Sequence, residues 1–331
     1  MLYLESLNKS LFSILNKYPE AILLGEDIED PYGGAFKITK GMSSSFPGRV
    51  INMPISEQAI CGTGAGLAVG GMIPIVEIMF GDFLTLCFDQ VLNHISKFDW
   101  MFNHKIQCPI IIRTPMGGGR GYGPTHSQSI EKHFIGIPGL TTICPSLFHN
   151  PGRLLEACVN LKRPVLFIEE KRLYSARLIE TPSPVWQKKE LGKDFSCVQL
   201  TCDGFEDSPD ITIAVYGSMA DICIDVAENL FMEMEIFSDV FIVSNLSAPP
   251  YEELSASVSR SKKLLIIEEG TKPLGWGAEI GATIAEINCP VKVKRLASRH
   301  LPIAAAPSIE KEIIPNKESI ASAIKEFGGE N

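Results

Sequence analysis

Short segments that are apolar at successive positions, not alternate ones, recur along the whole chain. Ala21-Ile22-Leu23-Leu24, Ile73 to Phe80, Pro109-Ile110-Ile111-Ile112-Arg113, Leu140 to Cys144 and Pro164 to Glu169 follow one another in the first half. ITIAVYG, DVFIVSN, KKLLIIEEG and Val291 to Leu296 do so in the second. A strand apolar on both sides has to be covered on both sides, which is the situation of a parallel sheet between helices. The intervening segments supply those helices. Leu4, Leu7, Leu11, Ile14 and Leu15 recur at helical spacing and stop at Pro19. Further helices are expected from Glu57, from about Thr85 to Phe102, and from about Arg153 to Leu161. The second half adds Met219 to Met232, Tyr251 to Ser259, Trp276 to Ile287 and Glu318 to Phe327. The expected class is α/β, with two doubly wound parallel-sheet domains. Residues 171–208 lose the rhythm, with Pro182, Pro184, a Lys pair and Asp-Gly-Phe-Glu-Asp. We therefore expect domains at 1–187 and 209–331, and a linker at 188–208 with room for one strand. A chain of 331 residues exceeds what one core usually spans, which agrees with two domains.

A net charge of −9 argues against a nucleic-acid surface, because phosphate binding needs clustered Lys and Arg. The nine cysteines, at 61, 87, 108, 144, 158, 197, 202, 223 and 289, are odd in number and contain no CxxC pair. Most lie in apolar runs and read as buried, reduced thiols of a cytoplasmic protein, not as a disulfide framework or a zinc site. The start MLYLESLNKS has an acid at Glu5 and no basic run, so no signal peptide is expected. No apolar run is long enough to span a bilayer.

Glu57 lies in MPISEQAICGTGAGLAVGGM, alone among Ala59, Cys61, Gly62, Gly64, Ala65, Gly66 and Gly70. An acid in a first turn gains about 0.3–1 kcal/mol from the helix dipole, which by itself explains most such residues. Interior glycines, however, cost roughly 1 kcal/mol each against Ala and call for a close approach by another backbone or a ligand. The loop Met116 to Gln128, MGGGRGYGPTHSQ, follows a buried strand, and ligands of parallel α/β sheets bind beyond the strands' carboxyl ends. It holds neither GxGxxG nor GxxxxGK[ST], so a phosphate cradle is weakly supported. His126 and His133 are seven apart and could share a helix face, but no Cys or acid stands at metal-ligand spacing. Taken alone, His126 reads as a loop or capping residue, Phe83 as core or a stacking face, and Trp276 as core.

Together, MPISEQ, PIVEIMFGDFLTLCFDQVLN and RTPMGGGRGYGPTHSQS resemble the β subunit of the thiamine-diphosphate-dependent 2-oxoacid dehydrogenases. These are the decarboxylating components of the pyruvate and branched-chain complexes and of acetoin dehydrogenase. The likeness runs from LLGEDIEDPYGGAFKITKG to LLIIEEG, GWGAEI and IIPNKESIASAIKEF, nearly the whole chain. It implies a transketolase-like pyrimidine-binding domain followed by a transketolase C-terminal-like domain. It implies that Glu57 hydrogen-bonds N1′ of the cofactor's aminopyrimidine, favouring the imino tautomer that takes the thiazolium C2 proton. By the same resemblance Phe83 stacks on the pyrimidine, and His126 assists proton transfer or passage of the acyl group to a lipoyl arm. A structural potassium ion held by backbone carbonyls near Leu161 is implied as well. The family's diphosphate and Mg2+ motif, GDG with a downstream Asn, is absent; the nearest strings are GDF at 81 and CDGF at 202. The resemblance therefore implies an α subunit that completes the site as α2β2, a lipoyl-bearing acyltransferase core as further partner, and a 2-oxo acid as substrate. Ala304 stands where related chains usually carry a second Pro. Two other readings remain: a split transketolase-like ketol transferase, and a non-catalytic assembly paralogue.

Overall fold

The computed structural model describes residues 1–195, 197–204, 209–287 and 290–329. Cys289 and Phe205 of the CDGF string lie outside the described residues.

The first half builds one sheet. In chain order it contains α1 (Tyr3–Lys17), β1 (Ala21–Gly25), α2 (Met42–Ser45), β2 (Val50–Asn52), α3 (Glu57–Val69), β3 (Ile73–Glu77), α4 (Phe98–Met101), β4 (Ile111–Met116), β5 (Thr141–Ile143), α5 (Pro151–Asn160) and β6 (Val165–Glu170). The strand order is β2-β1-β3-β4-β6-β5, and every pairing is parallel. One ladder row runs Leu23, Ile75, Ile111, Val165 across four strands. These side chains, with Phe167, face α1 and α5. Their neighbours Leu24, Val76, Ile112 and Leu166 face the opposite way, toward α3. Two covered faces are the reason these strands are apolar at every position.

The long helix expected from Thr85 to Phe102 is broken into three pieces. A 3₁₀ turn over Gly81–Cys87 leads into a π-helical turn over Gln90–Ile95 and then α4. Gly81, where the segment begins, is pressed on Met116, and an added Cβ would lie 2.9 Å from its Cγ. Breaks of this kind are common beside functional sites.

The second half holds β7 (Trp186–Leu191), β8 (Cys197–Cys202), β9 (Ile211–Tyr216), α6 (Met219–Met234), β10 (Ser238–Val243), α7 (Tyr251–Ser261), β11 (Lys263–Thr271), α8 (Trp276–Ile287), β12 (Lys292–Ser298), α9 (Pro307–Ile313) and α10 (Lys317–Gly328). Its sheet order is β12-β11-β9-β10-β8-β7. The first four strands are parallel, whereas β8 runs antiparallel to β10 and β7 antiparallel to β8. The stretch expected as a linker thus contains two strands of this sheet. Along β7 only Trp186 and Leu191 are buried, and the Gln-Lys-Lys-Glu between them is wholly or partly exposed. A short, charged edge strand resists pairing with other chains, and it looks like a linker in sequence for that same reason.

The two halves share a core. Val76, Ile112 and Cys144 belong to the same buried cluster as Tyr216, Phe241 and Trp276. Main-chain bonds join them at the edge of β5, from Cys144 N to Ser244 O (2.8 Å) and from Leu246 N to Thr142 O (2.9 Å). Among the described residues no helix is long and apolar enough to cross a membrane.

Candidate active site

Five strands of the first sheet end at one edge, and each delivers candidate side chains there. β1 leads to Glu26, β2 to Glu57, β3 to Asp82 and Phe83, β4 to the loop carrying His126, and β6 to Glu170 and Lys171. This carboxyl-end edge is where a parallel α/β sheet presents its ligand crevice.

Glu57 is the first residue of α3, after Ser56, whose Oγ accepts from Ala59 N as N-cap. It is only 6% exposed. Glu26 lies beside it, and burial first, then the Glu57 and Asp27 charges, raise the Glu26 carboxyl above its ordinary range. Glu26 Oε1 is buried with no hydrogen-bond partner. The small residues of α3 divide by face. An added Cβ at Gly64 would lie 2.8 Å from both Ile110 Cδ1 and Val76 Cγ1, so the helix rests directly on the sheet there. Gly62 and Gly66 meet nothing within 4 Å and, with Val69, Phe98 and Phe102, line an open apolar groove.

Phe83 and His126 come together: their ring centroids are 5.2 Å apart at 77°. Phe80 packs edge-on to both, 5.7 Å from Phe83 and 4.8 Å from His126. Thr125 Oγ1 is 2.9 Å from His126 Nδ1. Beneath this cluster the fully buried Lys171 donates to the His126 carbonyl and places its ammonium 5.3 Å from the centre of the Phe80 ring. Burial pulls its pKa down, against the opposing pull of the Asp82, Glu269 and Glu170 carboxylates. Asp82 Oδ1 accepts from Gln128 Nε2 (2.8 Å), and its Oδ2 is buried without a partner. His133 belongs elsewhere. It ends a 3₁₀ turn over Glu131–His133, is exposed, and shares no helix face with His126. Trp276 is core, its ring 5.1 Å from that of Tyr216 and its N–H donated to Leu246 O.

Behind the edge, Arg113 of β4 is 1% exposed and ties three strands together. It binds Glu77 Oε2 of β3 at 3.0 Å and Glu169 Oε1 of β6 at 2.7 Å. Tyr174 Oη donates to the other Glu169 oxygen at 2.8 Å. Between the halves lies an acidic cluster of Glu131, Glu170, Glu268 and Glu269, all at most 6% exposed. Burial first, then the Glu269 and Glu131 charges, push the Glu170 carboxyl well up. Burial and Glu131 raise Glu268 to about 7.

Sequence reasoning missed Glu26, Lys171, Glu170, Glu269 and Glu310 as parts of this region. A usable signal existed for most of them, since LLGE, FIEEK and LIIEEG each set charges directly after an apolar strand. Among the described residues no group of three or more His, Cys, Asp or Glu is arranged to hold a metal ion.

The comparisons agree with this architecture. Residues 1–177 match the transketolase pyrimidine-binding domain, and residues 205–320 match the transketolase C-terminal domain. The chain is 32% identical to the β subunit of 2-oxoisovalerate dehydrogenase of Bacillus subtilis (strain 168), over 99% of this chain and 98% of that one. It is 30% identical to the β subunit of acetoin:2,6-dichlorophenolindophenol oxidoreductase of the same strain, covering 98% and 96%. Against the mitochondrial pyruvate dehydrogenase E1 component subunit beta-1 of Oryza sativa subsp. japonica it is 30% identical, covering 97% and 85%. A solved split-gene transketolase, described as an inactive β4 tetramer, superposes with a TM-score of 0.76 over 99% of both chains at 19% identity, a likeness of fold. The chain belongs to the family of transketolase-like β subunits of the 2-oxoacid dehydrogenases.

Proposed function

We propose that this chain is the β subunit of a thiamine-diphosphate-dependent 2-oxoacid dehydrogenase. With an α subunit, as α2β2, it would support oxidative decarboxylation of a 2-oxo acid and transfer of the acyl group to a lipoyl group. The observation that carries the reading is the buried Glu57 on the same sheet edge as the Phe83–His126 ring pair. The bound cofactor supplies the electron sink for decarboxylation. The residues here fit its pyrimidine end. Glu57 can hold a proton shared with a ring nitrogen, Phe83 offers a π face, and the unpartnered oxygens of Glu26 and Asp82 mark the edge as built for polar company. His126, at the rim of the cluster, is the group placed to move a proton at the reacting centre.

The diphosphate end does not fit this chain. The amides of Gly118, Gly119 and Gly121 already donate to carboxylates, which leaves the glycine loop without a phosphate cradle. This supports a diphosphate and Mg2+ site on an α subunit. The open groove along Gly62, Gly66 and Val69 offers small, apolar surface for close helix packing in such an assembly. A potassium ion would take the carbonyls where α5 ends at Leu161, before Lys162 turns the chain at φ 52°. A lipoyl-bearing acyltransferase core is the further partner. The eight described cysteines are free and buried, which supports a reducing compartment such as the cytoplasm.

A split transketolase is the weaker reading, because that likeness is one of fold at 19% identity, whereas dehydrogenase β subunits match at 30–32%. A non-catalytic paralogue would have little use for Glu57, Phe83 and His126 together. Glu57→Gln in the reconstituted α/β enzyme should lower 2-oxo acid decarboxylation by about 10²–10⁴-fold, the range of a lost acid–base group, with assembly intact by sedimentation. Retained turnover in that variant sinks the assignment.

A further inference from the structure

The glycine loop that carries Tyr122 and His126 has four residues with left-handed φ, Gly117 at 89°, Gly119 at 82°, Gly121 at 70° and Gly123 at 80°. Such a loop on its own would be loosely defined. Here it lies along residues 305–314 of the second half. An added Cβ at Gly118 would sit 2.4 Å from Ile314 Cδ1, one at Gly121 3.1 Å from Ala305 O, and one at Gly123 3.4 Å from Ala305 Cβ. The glycines therefore serve the close approach of another segment of the same chain.

Two carboxylates hold the loop by its amides. Glu310, on α9 and 3% exposed, accepts from Gly119 N at Oε1 (2.9 Å) and from Gly121 N at Oε2 (3.0 Å). Glu269, at the end of β11, accepts from Gly118 N at 2.7 Å and is itself oriented by Ser129 Oγ (2.9 Å) and Ser218 Oγ (3.0 Å). Charge-assisted bonds of this kind are roughly twice as strong as neutral ones. Both oxygens of one buried side chain, almost two hundred residues away in sequence, are thus spent on fixing two amides of the loop.

The geometry points to Glu310 as a positioning residue, by which the second domain sets the place of His126. This rests on the reading of His126 given above. Glu310 touches no candidate cofactor contact, so it acts only through the loop. The loop also borders a cleft of about 710 Å³ lined by Gly118, Gly119, Arg172 and Glu310, so an amide released from the clamp is open to solvent.

The test is hydrogen exchange of the full chain read at single amides, together with steady-state kinetics of the α/β enzyme. In the unaltered chain, the Gly119 and Gly121 amides should exchange at least about tenfold more slowly than in a free peptide although they lie outside helix and strand. Glu310→Gln, which leaves one acceptor where there were two, should speed at least one of these two amides about tenfold and leave Gly118, held by Glu269, protected. Glu312→Gln, the same charge change at an exposed position of α9, should alter neither. In the enzyme, Glu310→Gln should lower kcat about tenfold at unchanged cofactor affinity and KM. Free-peptide exchange in the unaltered chain overturns the clamp, and that measurement needs no variant to fold. Equal loosening of loop and core amides, or faster loop exchange at unchanged kcat, overturns the positioning role. The exchange results need neither cofactor nor substrate. If they hold while Glu57→Gln retains turnover, the functional reading has failed and the clamp has not.

Discussion

Replacing Glu268 by Gln should stabilise the second domain at pH 8 by about 3 kcal/mol more than at acid pH. Glu268 lies within the buried run of β11 and is 0% exposed. Its Oε1 accepts from Gly277 N at 3.2 Å, and its Oε2 is buried with no partner. Burial and the facing Glu131 carboxylate hold its pKa at about 7 against an ordinary 4.5, and the Gly277 and Trp276 amides with Arg295 oppose that only in part. A carboxyl raised on folding stabilises the fold while protonated. That contribution is whole below the unfolded value near 4.5 and is lost as pH rises through about 7. At about 1.4 kcal/mol per pH unit, the gap of roughly 2.5 corresponds to about 3 kcal/mol by pH 8.

Gln has nearly the same shape and cannot ionise. Its amide group would replace the unpartnered oxygen, at a cost that does not depend on pH. The quantity to read is therefore the change with pH. The advantage of Glu268→Gln should grow by roughly 2–3 kcal/mol between pH 5 and pH 8. Urea unfolding at the two pH values measures it, with tryptophan fluorescence as signal, since Trp186 and Trp276 are both buried in the second domain. An advantage equal at both values would refute the reasoning, because it would place the ionisation of Glu268 outside the balance of folding.

Arg113→Met should cost about 3–5 kcal/mol at pH 7, since it leaves Glu77 and Glu169 buried without their shared cation. A loss under about 1 kcal/mol in denaturant unfolding would show that the carboxylates find other partners. Gly117→Ala should destabilise by about 1–3 kcal/mol, because φ is 89° and the new Cβ would lie 2.3 Å from Glu170 Oε2. An unchanged melting temperature would mean that the loop and Glu170 can move apart freely.

The two sheets were legible in the sequence because burial on both faces leaves no polar alternation, as at Ile110, Ile111 and Ile112, which point alternately to α3 and to α1. The same criterion hid β7, whose Gln187, Lys188, Lys189 and Glu190 lie at a sheet edge with little to bury. The segment expected as one helix from Thr85 begins where Gly81 packs on Met116, a contact thirty-five residues away that no local pattern encodes. Glu57, Phe83 and His126 were legible as candidates, and the structure gathers Phe83 and His126 into ring contact on the edge that also bears Glu57.

The glycine loop shows most directly why composition alone misleads about chemistry. A run of left-handed glycines exposes amides, and exposed amides at a strand's carboxyl end suggest an anion. The anions are present, but they belong to the chain itself: Glu269 and Glu310 arrive from about 150 and 190 residues downstream. Counting where the backbone donors go therefore converts a weak phosphate signal into a statement about domain docking. It also removes this chain's best candidate for a diphosphate cradle. On the proposed reading, Glu57 and Phe83 would serve the pyrimidine and the diphosphate would fall to a second subunit, because the amides of this loop are already engaged by the chain's own carboxylates.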